Sequence, residues 1–450
     1  MSDPRALPPA SVPPGQDADQ GHYLRAVANM ASHCCVTTRQ ALYNEQGIKL
    51  LDQGVRVDSG LYDRLVRHKL RGHLDEQLAV EDMVDVQAVA QEAAAQCESD
   101  ALIRMLVGAR PDIGAAQLLA LVRALTLSQP LAFKLTVMRE QRAELYRHSV
   151  RMMLTSIFLG LASGMGAREC VHLAAAALLH DIGVLHMSPA WSDPDRRLNA
   201  AERRELMVHP VTAALLIRAQ QIYPASVAQA VLEHHECLDG SGYPRGLRGE
   251  QISPMGQVLM LAEVAAAFFE KYASDGAAQR LSLMLRMNHR KFAAPLAACL
   301  LPALDAQAAQ APLQVTPGQV QAQIELLSQA FADWDARCMA LPPSAFAQDG
   351  GRCCVFVTQR LMILQKALFE AGSHPQQQAE ALAYLQDDAQ SLAELALLGR
   401  EALWQLRSVA DAVNGRWPKL QGSDDACDRA VLDWVKALLA QMQEMAIAAP

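Results

Sequence analysis

Residues 171–183 read VHLAAAALLHDIG. Val171 to Leu179 form an apolar run suited to a buried helix, and it delivers His180 and Asp181 to its end beside Gly183, a residue able to terminate a helix. A carboxylate and an imidazole in such Ala/Leu surroundings need partners, because a buried charge left unpaired is strongly unfavourable. Working outward, His148, His209 and the pair His234-His235, followed by Glu236, fall with them inside about ninety residues. Any one of these histidines is ordinary, since a lone His on an Ala/Leu helix is more often a hydrogen-bonded structural residue. Together they make a donor set of imidazole and carboxylate that suits Fe, Mn or Zn, and Asp181 has two oxygens with which to bridge two ions. Glu144 precedes His148 by four residues and shares its helix face. It fits a ligand and a solvated helix acid equally well.

A second stretch, residues 234–249, reads HHECLDGSGYPRGLRG. Gly240 and Gly242 allow a tight backbone path between Asp239 and Pro244, and Tyr243 can stack on a ligand or pack the loop against the core. Arg245 and Arg248 could neutralise phosphate, though solvated surface arginines are the commoner case.

With HDIG at 180–183, His209-Pro210 and the GYP run in one chain, residues from about 140 to 305 resemble the HD-GYP family of HD-domain phosphohydrolases. The resemblance implies an all-helical HD core. It also implies hydrolysis of cyclic di-GMP at a centre of two or three divalent ions, commonly iron or manganese. The ligands it implies are His148, His180, Asp181, His209, His234 and His235, with His180 and Asp181 as the catalytic pair and Glu144 as the carboxylate that accompanies a third metal. The family's last ligand is an Asp in a run like LADVFDAL. Here the run is LAEVAAAF, with Glu263 in that place, and one extra methylene displaces its oxygens by about 1.5 Å. The resemblance further marks Asp239, Gly240, Gly242, Tyr243, Pro244 and Arg245 as a substrate or partner loop.

Three departures concern turnover. The lysine that usually follows HDIG is Val184, the arginine that commonly follows HHE is Cys237, and the second Asp of the later helix is Ala266. Two readings therefore stand side by side: a cyclic di-GMP phosphodiesterase, and a degenerate module that binds metal, nucleotide or protein partners without efficient turnover. The product under the first, linear dinucleotide or GMP, is open.

The rest of the 450 residues frames this segment. Apolar types make up 51% and aromatics only 5%, so Ala and Leu fill the cores and helix is favoured over sheet. The net charge of −8 argues against binding long nucleic acid. No run of membrane-spanning length occurs, and the ten cysteines show no C-x-x-C spacing, which together suit a cytoplasmic protein with reduced thiols. Residues 1–21, with five prolines, read as a disordered leader.

Residues 22–130 read as a regulatory module. It holds a short β-meander over Ala41–Val57 and a helix capped at Asp58-Ser59 ahead of LYDRLVRHKL. The HD-GYP domain is expected over 131–305, a linker over 306–319 and a helical region over 320–450. The class is mainly α, with signalling proteins as partners through the GYP loop and a homodimer through the C-terminal helices as further expectations.

Overall fold

The computed structural model describes residues 16–57, 72, 74–189, 200–272, 276–310, 315–342, 351–370, 372–385, 388–417, 420 and 422–448. The helix expected after Asp58-Ser59 lies outside them. The chain divides into two compact units, residues 1–267 and 268–450.

The first unit opens with α1 (Gln16–Ala31), which begins ahead of the expected onset near His22, and four short strands: β1 (Val36–Thr38), β2 (Leu42–Tyr43), β3 (Lys49–Leu51) and β4 (Leu78–Val80). They form two antiparallel pairs, β1 with β4 in the register Val36↔Val80, and β2 with β3 across the Asn44–Ile48 turn. The meander is thus only the second pair. The first joins segments about forty residues apart, which no local alternation announces. A four-residue helix, α2 (Leu74–Gln77), leads into β4.

Then follow α3 (Val86–Ser99), α4 (Ala101–Ala109), α5 (Ala115–Arg123), α6 (Gln129–Gln141), α7 (Ala143–Ala162), α8 (Ala167–Leu179), a 3₁₀ turn (Ile182–His186), α9 (Ala200–Leu206), α10 (His209–Gln220), α11 (Ala225–Glu233) and α12 (Pro254–Lys271). The densest packing is α7 against α8, with α10 against α11 and α10 against the 3₁₀ turn. Their facing residues, among them Met153, Ile157, Leu173, Leu178 and Ile217, are buried.

Asp100 connects two of these helices. It caps α4 by accepting from the Leu102 and Ile103 amides (3.0 and 3.1 Å), and its other oxygen accepts from Arg151 Nε on α7 at 2.6 Å. Asp100→Ala removes a cap and a largely buried ion pair together, so it is expected to cost about 2 kcal/mol of unfolding free energy in a denaturant titration, against about half that for Asp100→Asn, which keeps the cap.

A buried polar cluster ties the N-terminal segment to α6. Lys134 Nζ lies 2.7 Å from Asp75 Oδ2, 3.4 Å from His186 Nε2 and 3.9 Å from the centre of the Tyr23 ring. The Tyr23 hydroxyl donates to Asp75, and its ring stacks on His186. Burial, then Lys134 and Arg142, hold the His186 imidazole far below its usual range, so it is neutral beside the ammonium.

The second unit contains α13 (Ala277–Met287), α14 (Ala294–Gln310), α15 (Pro317–Met339), α16 (Gly351–Glu370), α17 (Pro375–Leu385), α18 (Ala389–Arg416) and α19 (Ala426–Ala448). Its core gathers around Trp334 and Trp434, whose rings meet edge to face at 5.5 Å, with Leu327, Val357, Leu361, Leu406 and Leu438. The protein is mainly α, with a small N-terminal β module and an extensive helical C-terminal region. No helix among the described residues is long and apolar enough to cross a membrane.

Candidate metal centre

Six segments of the first unit bring imidazoles and carboxylates to one place. His148 comes from α7, His180 from the end of α8, Asp181 from the start of the 3₁₀ turn, His209 from the first position of α10, and His234 and His235 from the end of α11. Glu263 projects from α12. The ring centres of His180 and His234 are 5.0 Å apart, of His209 and His235 5.0 Å, and of His234 and His235 4.1 Å. Three overlapping donor groups result: His148, His180 and Glu263; His180, Asp181 and His234; and His209, His234 and His235.

The backbone decides which ring nitrogens face inward. His180 Nδ1 lies 2.7 Å from the Ala177 carbonyl, His209 Nδ1 2.6 Å from that of Leu206, and His234 Nδ1 2.6 Å from that of Val231. A carbonyl can only accept, so each Nδ1 carries the hydrogen and each neutral ring turns an Nε2 lone pair into the centre. His209 Nε2 and His234 Nε2 then stand 3.2 Å apart, lone pair toward lone pair, and His180 Nε2 is buried without a hydrogen bond. Such an arrangement calls for a cation between the rings. The residues present therefore fit metal ions.

Asp181 lies between the groups. One oxygen is 3.1 Å from His180 Nε2, the other 3.1 Å from His209 Nε2 and 4.0 Å from His234 Nε2. Glu263 Oε2 is 3.0 Å from His148 Nε2 and 3.5 Å from His180 Nε2, so the longer side chain at this position still reaches the cluster. Glu144 does not join it: its side chain is 78% exposed and pairs with Arg147.

The titration behaviour of the metal-free centre follows from this packing. Burial alone would push the carboxyls up, but His180 and His209 hold Asp181 well below its usual range, and His148 and His180 push Glu263 down to about 2. Burial opposes charge on His180 too, yet Asp181 and Glu263 raise its pKa. Burial and neighbouring imidazoles keep His234 and His235 far below 6.5.

His234 and His235 stay neutral in the folded state while the unfolded chain takes up protons, so the stability they contribute is present above about pH 6.5 and falls as pH drops below it, with a limiting slope of about 1.4 kcal/mol per pH unit for each. The carboxylates add a further loss below about pH 4.5, extending toward pH 2 for Glu263. His180 acts oppositely, its contribution fading as pH rises through its raised pKa. Metal-stripped protein is expected to lose stability steeply from pH 6.5 to 5 in denaturant titrations, and the His234→Gln variant to show a shallower slope.

The loop 237–249 is built over two buried acids. Glu236 accepts from the amides of Arg245 (2.7 Å) and Leu247 (2.9 Å), while Glu233 accepts from Arg245 Nη2 (3.0 Å), Gln229 Nε2 (3.1 Å) and both the amide and hydroxyl of Ser253 (2.9 and 2.5 Å). Arg245 is thus the loop's anchor through its pairing with Glu233. Gly242 is required by space: a Cβ there would meet the Cys237 nitrogen, the Glu236 Cα and the His235 carbonyl. Gly183 is likewise a close-approach position, pressed against the His209 carbonyl at the head of α10, and it does not take the positive φ of a helix-terminating glycine. Asp239 turns the chain by accepting from the Ser241 amide and hydroxyl (2.9 and 2.6 Å). Gly240 has φ +81°, and the Tyr243–Pro244 bond is cis.

Tyr243 stacks on His235 with ring centres 4.6 Å apart. Burial, then Asp181 and Glu263, hold its hydroxyl protonated. Glu233 and Glu236 had no role assigned from sequence. The available signal was the placement of two acids on either side of a histidine pair in an otherwise apolar helix end.

Residues 130–294 match the family model described as an HD domain. The chain carries an HD domain of the HD-GYP family. This HD-GYP domain is 34% identical over 118 residues to the 3'3'-cGAMP-specific phosphodiesterase 3 of Vibrio cholerae, covering 26% of this chain and 25% of that protein. It is 30% identical over 120 residues to the cyclic di-GMP phosphodiesterase PdeB of Borreliella burgdorferi, covering 27% and 31%. The chain thus spans about a quarter to a third of the length of these relatives. A solved structure, the HDG"Y"P protein Bd1817 from Bdellovibrio bacteriovorus, aligns with a TM-score of 0.34 and 18% identity over 60% of this chain and 95% of that one.

Proposed function

We propose that the protein is a metal-dependent phosphodiesterase whose substrate is cyclic di-GMP. The observation that carries the reading is Asp181, whose two oxygens face separate imidazole groups at 3.1 Å. His148, His180 and Glu263 would hold one ion, His209, His234 and His235 a second, and Asp181 would bridge them. Imidazole and carboxylate donors without sulfur suit iron or manganese. Such a pair of ions polarises a phosphodiester and acidifies a coordinated water.

The chain's own part is orientation. The carbonyls of Ala177, Leu206 and Val231 lock the ring tautomers, Asp181 supplies the negative charge that holds the set together, and Tyr243 keeps a protonated hydroxyl beside His235 as a hydrogen-bond donor. Some relatives are named for 3'3'-cGAMP and others for cyclic di-GMP. Both are cyclic dinucleotides, which supports the substrate class.

The competing reading, a module that binds metal and nucleotide with little turnover, draws on the phosphate-side positions. Val184 is buried and brings no cation, Ala266 is buried and brings no carboxylate, and Arg245 is committed to Glu233. The deciding assay is hydrolysis of cyclic di-GMP by anaerobically purified full-length protein reconstituted with Fe(II) or Mn(II), with metal content measured on the same samples and 3'3'-cGAMP as competitor. Turnover that disappears on chelation and returns with metal supports the enzyme. Two bound ions with no cleavage of either dinucleotide would reject it in favour of the binding module.

A further inference from the structure

Away from this centre, a second set of ligand-type side chains converges where the turn after α1 meets the end of α6. His33, Cys34 and Glu140 each offer one donor atom, and the three atoms lie within 4.8 Å of one another. The turn that carries the first two is fixed by its own backbone. The His33 and Cys34 amides donate to the Met30 carbonyl at 3.2 and 2.8 Å, and the Val36 amide to the Cys34 carbonyl at 3.0 Å where β1 begins.

The two oxygens of Glu140 are divided between tasks. Oε1 accepts from Arg139 Nε at 2.8 Å, and Arg139 is itself held through Nη2 on the Asp82 carbonyl at 2.7 Å. Oε2 faces His33 Nε2 at 3.9 Å. A ligating carboxylate is commonly steadied in this way, with one oxygen hydrogen-bonded behind it and the other presented to the ion.

We propose that His33, Cys34 and Glu140 form a second metal site, separate from the HD-GYP centre, that takes a divalent cation of the zinc class and leaves one position open. The donors select the ion: a thiolate with an imidazole favours Zn(II) over the manganese or magnesium that an oxygen-rich set would take. None of the three donor groups at the HD-GYP centre includes a sulfur, so the two sites differ in kind. Tetrahedral zinc places its donors about 3.5 Å apart. The remaining distance is within reach of His33, whose side chain is half exposed and can swing inward.

Binding transfers the Cys34 thiol proton to solvent and forms the metal–sulfur bond. An ion there fastens the α1–β1 turn to the end of α6, two residues before Arg142, whose guanidinium donates to the Val184 and Met187 carbonyls of the HDIG turn at 3.0 and 2.8 Å.

The test uses full-length protein whose HD-GYP centre has first been filled with Mn(II), then titrated with Co(II). A thiolate-to-cobalt charge-transfer band is expected in the near ultraviolet, saturating at one equivalent and displaced by Zn(II). Cys34→Ser abolishes it, Cys35→Ser at the neighbouring exposed thiol leaves it, and His33→Ala on the half-exposed turn weakens cobalt affinity at least about tenfold. Absence of the band in the wild-type protein overturns the assignment, as does a band that follows any cysteine other than Cys34. Neither outcome depends on turnover at the HD-GYP centre.

Discussion

Under the proposed function, Asp181→Asn is expected to lower cyclic di-GMP turnover by about a thousandfold or more and to reduce the bound metal measured on the purified protein. The substitution keeps the shape of the side chain and removes its charge. In the folded protein that charge lies 3.1 Å from both His180 and His209, and it is the group placed to join the two donor sets. An amide offers one neutral oxygen where the carboxylate offers two anionic ones, so the variant side chain could neither bridge two ions nor neutralise their charge as the carboxylate would. Loss of a single preorganised electrostatic contact to a reacting centre costs about 10² to 10³ in rate, and here the same change also weakens retention of the ions. Asp181→Glu restores charge while displacing it, and should recover metal content more than rate. Equal kcat for the wild-type and Asn proteins at full metal occupancy would remove Asp181 from the mechanism.

The largest effect on stability is expected from Glu233. Its carboxylate is fully buried and receives hydrogen bonds from Arg245, Gln229 and Ser253, which together seat the 237–249 loop and the start of α12. Glu233→Ala leaves these donors unmatched and should cost about 3 to 5 kcal/mol in a denaturant titration. Glu233→Gln keeps the volume and half of the accepting capacity, and should fall between the two. Arg245→Met isolates the ion pair. Arg245 is partly exposed, so its loss is expected to cost less than the loss of Glu233. A Glu233→Ala protein as stable as the wild type would mean that the loop is held by its Glu236 contacts alone.

Much of the centre was legible in the order of residues because its donors sit at helix ends, where an imidazole or carboxylate stands out against an apolar run. His180 and Asp181 at the end of α8, and His234-His235 at the end of α11, are of this kind. The spacing of Glu144 leaves ligand and solvated acid equally open, because i, i+4 places two side chains on one helix face without saying where the longer one points; in the structure its carboxylate pairs with Arg147. The position of Gly183 after an apolar run suggests a terminator, whereas its lack of a Cβ serves the approach of α10, a contact between segments that spacing along the chain cannot reveal. The pairing of β1 with β4 was hidden for a similar reason: three residues are too few for an alternating pattern, and the partner strand lies beyond a long intervening stretch. Lys134 illustrates the limit from the other side. In sequence it is one lysine on a helix, and only the fold surrounds it with Asp75, Tyr23 and His186.

That enclosure bears on where the chain can be cut. The family match begins at residue 130, an inviting place to start an excised catalytic fragment. A fragment begun there would retain the Lys134 ammonium and discard Asp75, the carboxylate that neutralises it, along with the Tyr23 ring that covers it. The fragment would inherit an orphaned cation in its interior, next to a neutral His186 on the turn that carries the HDIG motif. Judged by charge bookkeeping and not by sequence similarity, the smallest self-sufficient piece of this protein reaches back to α1, and the segment before the HD domain is part of its foundation.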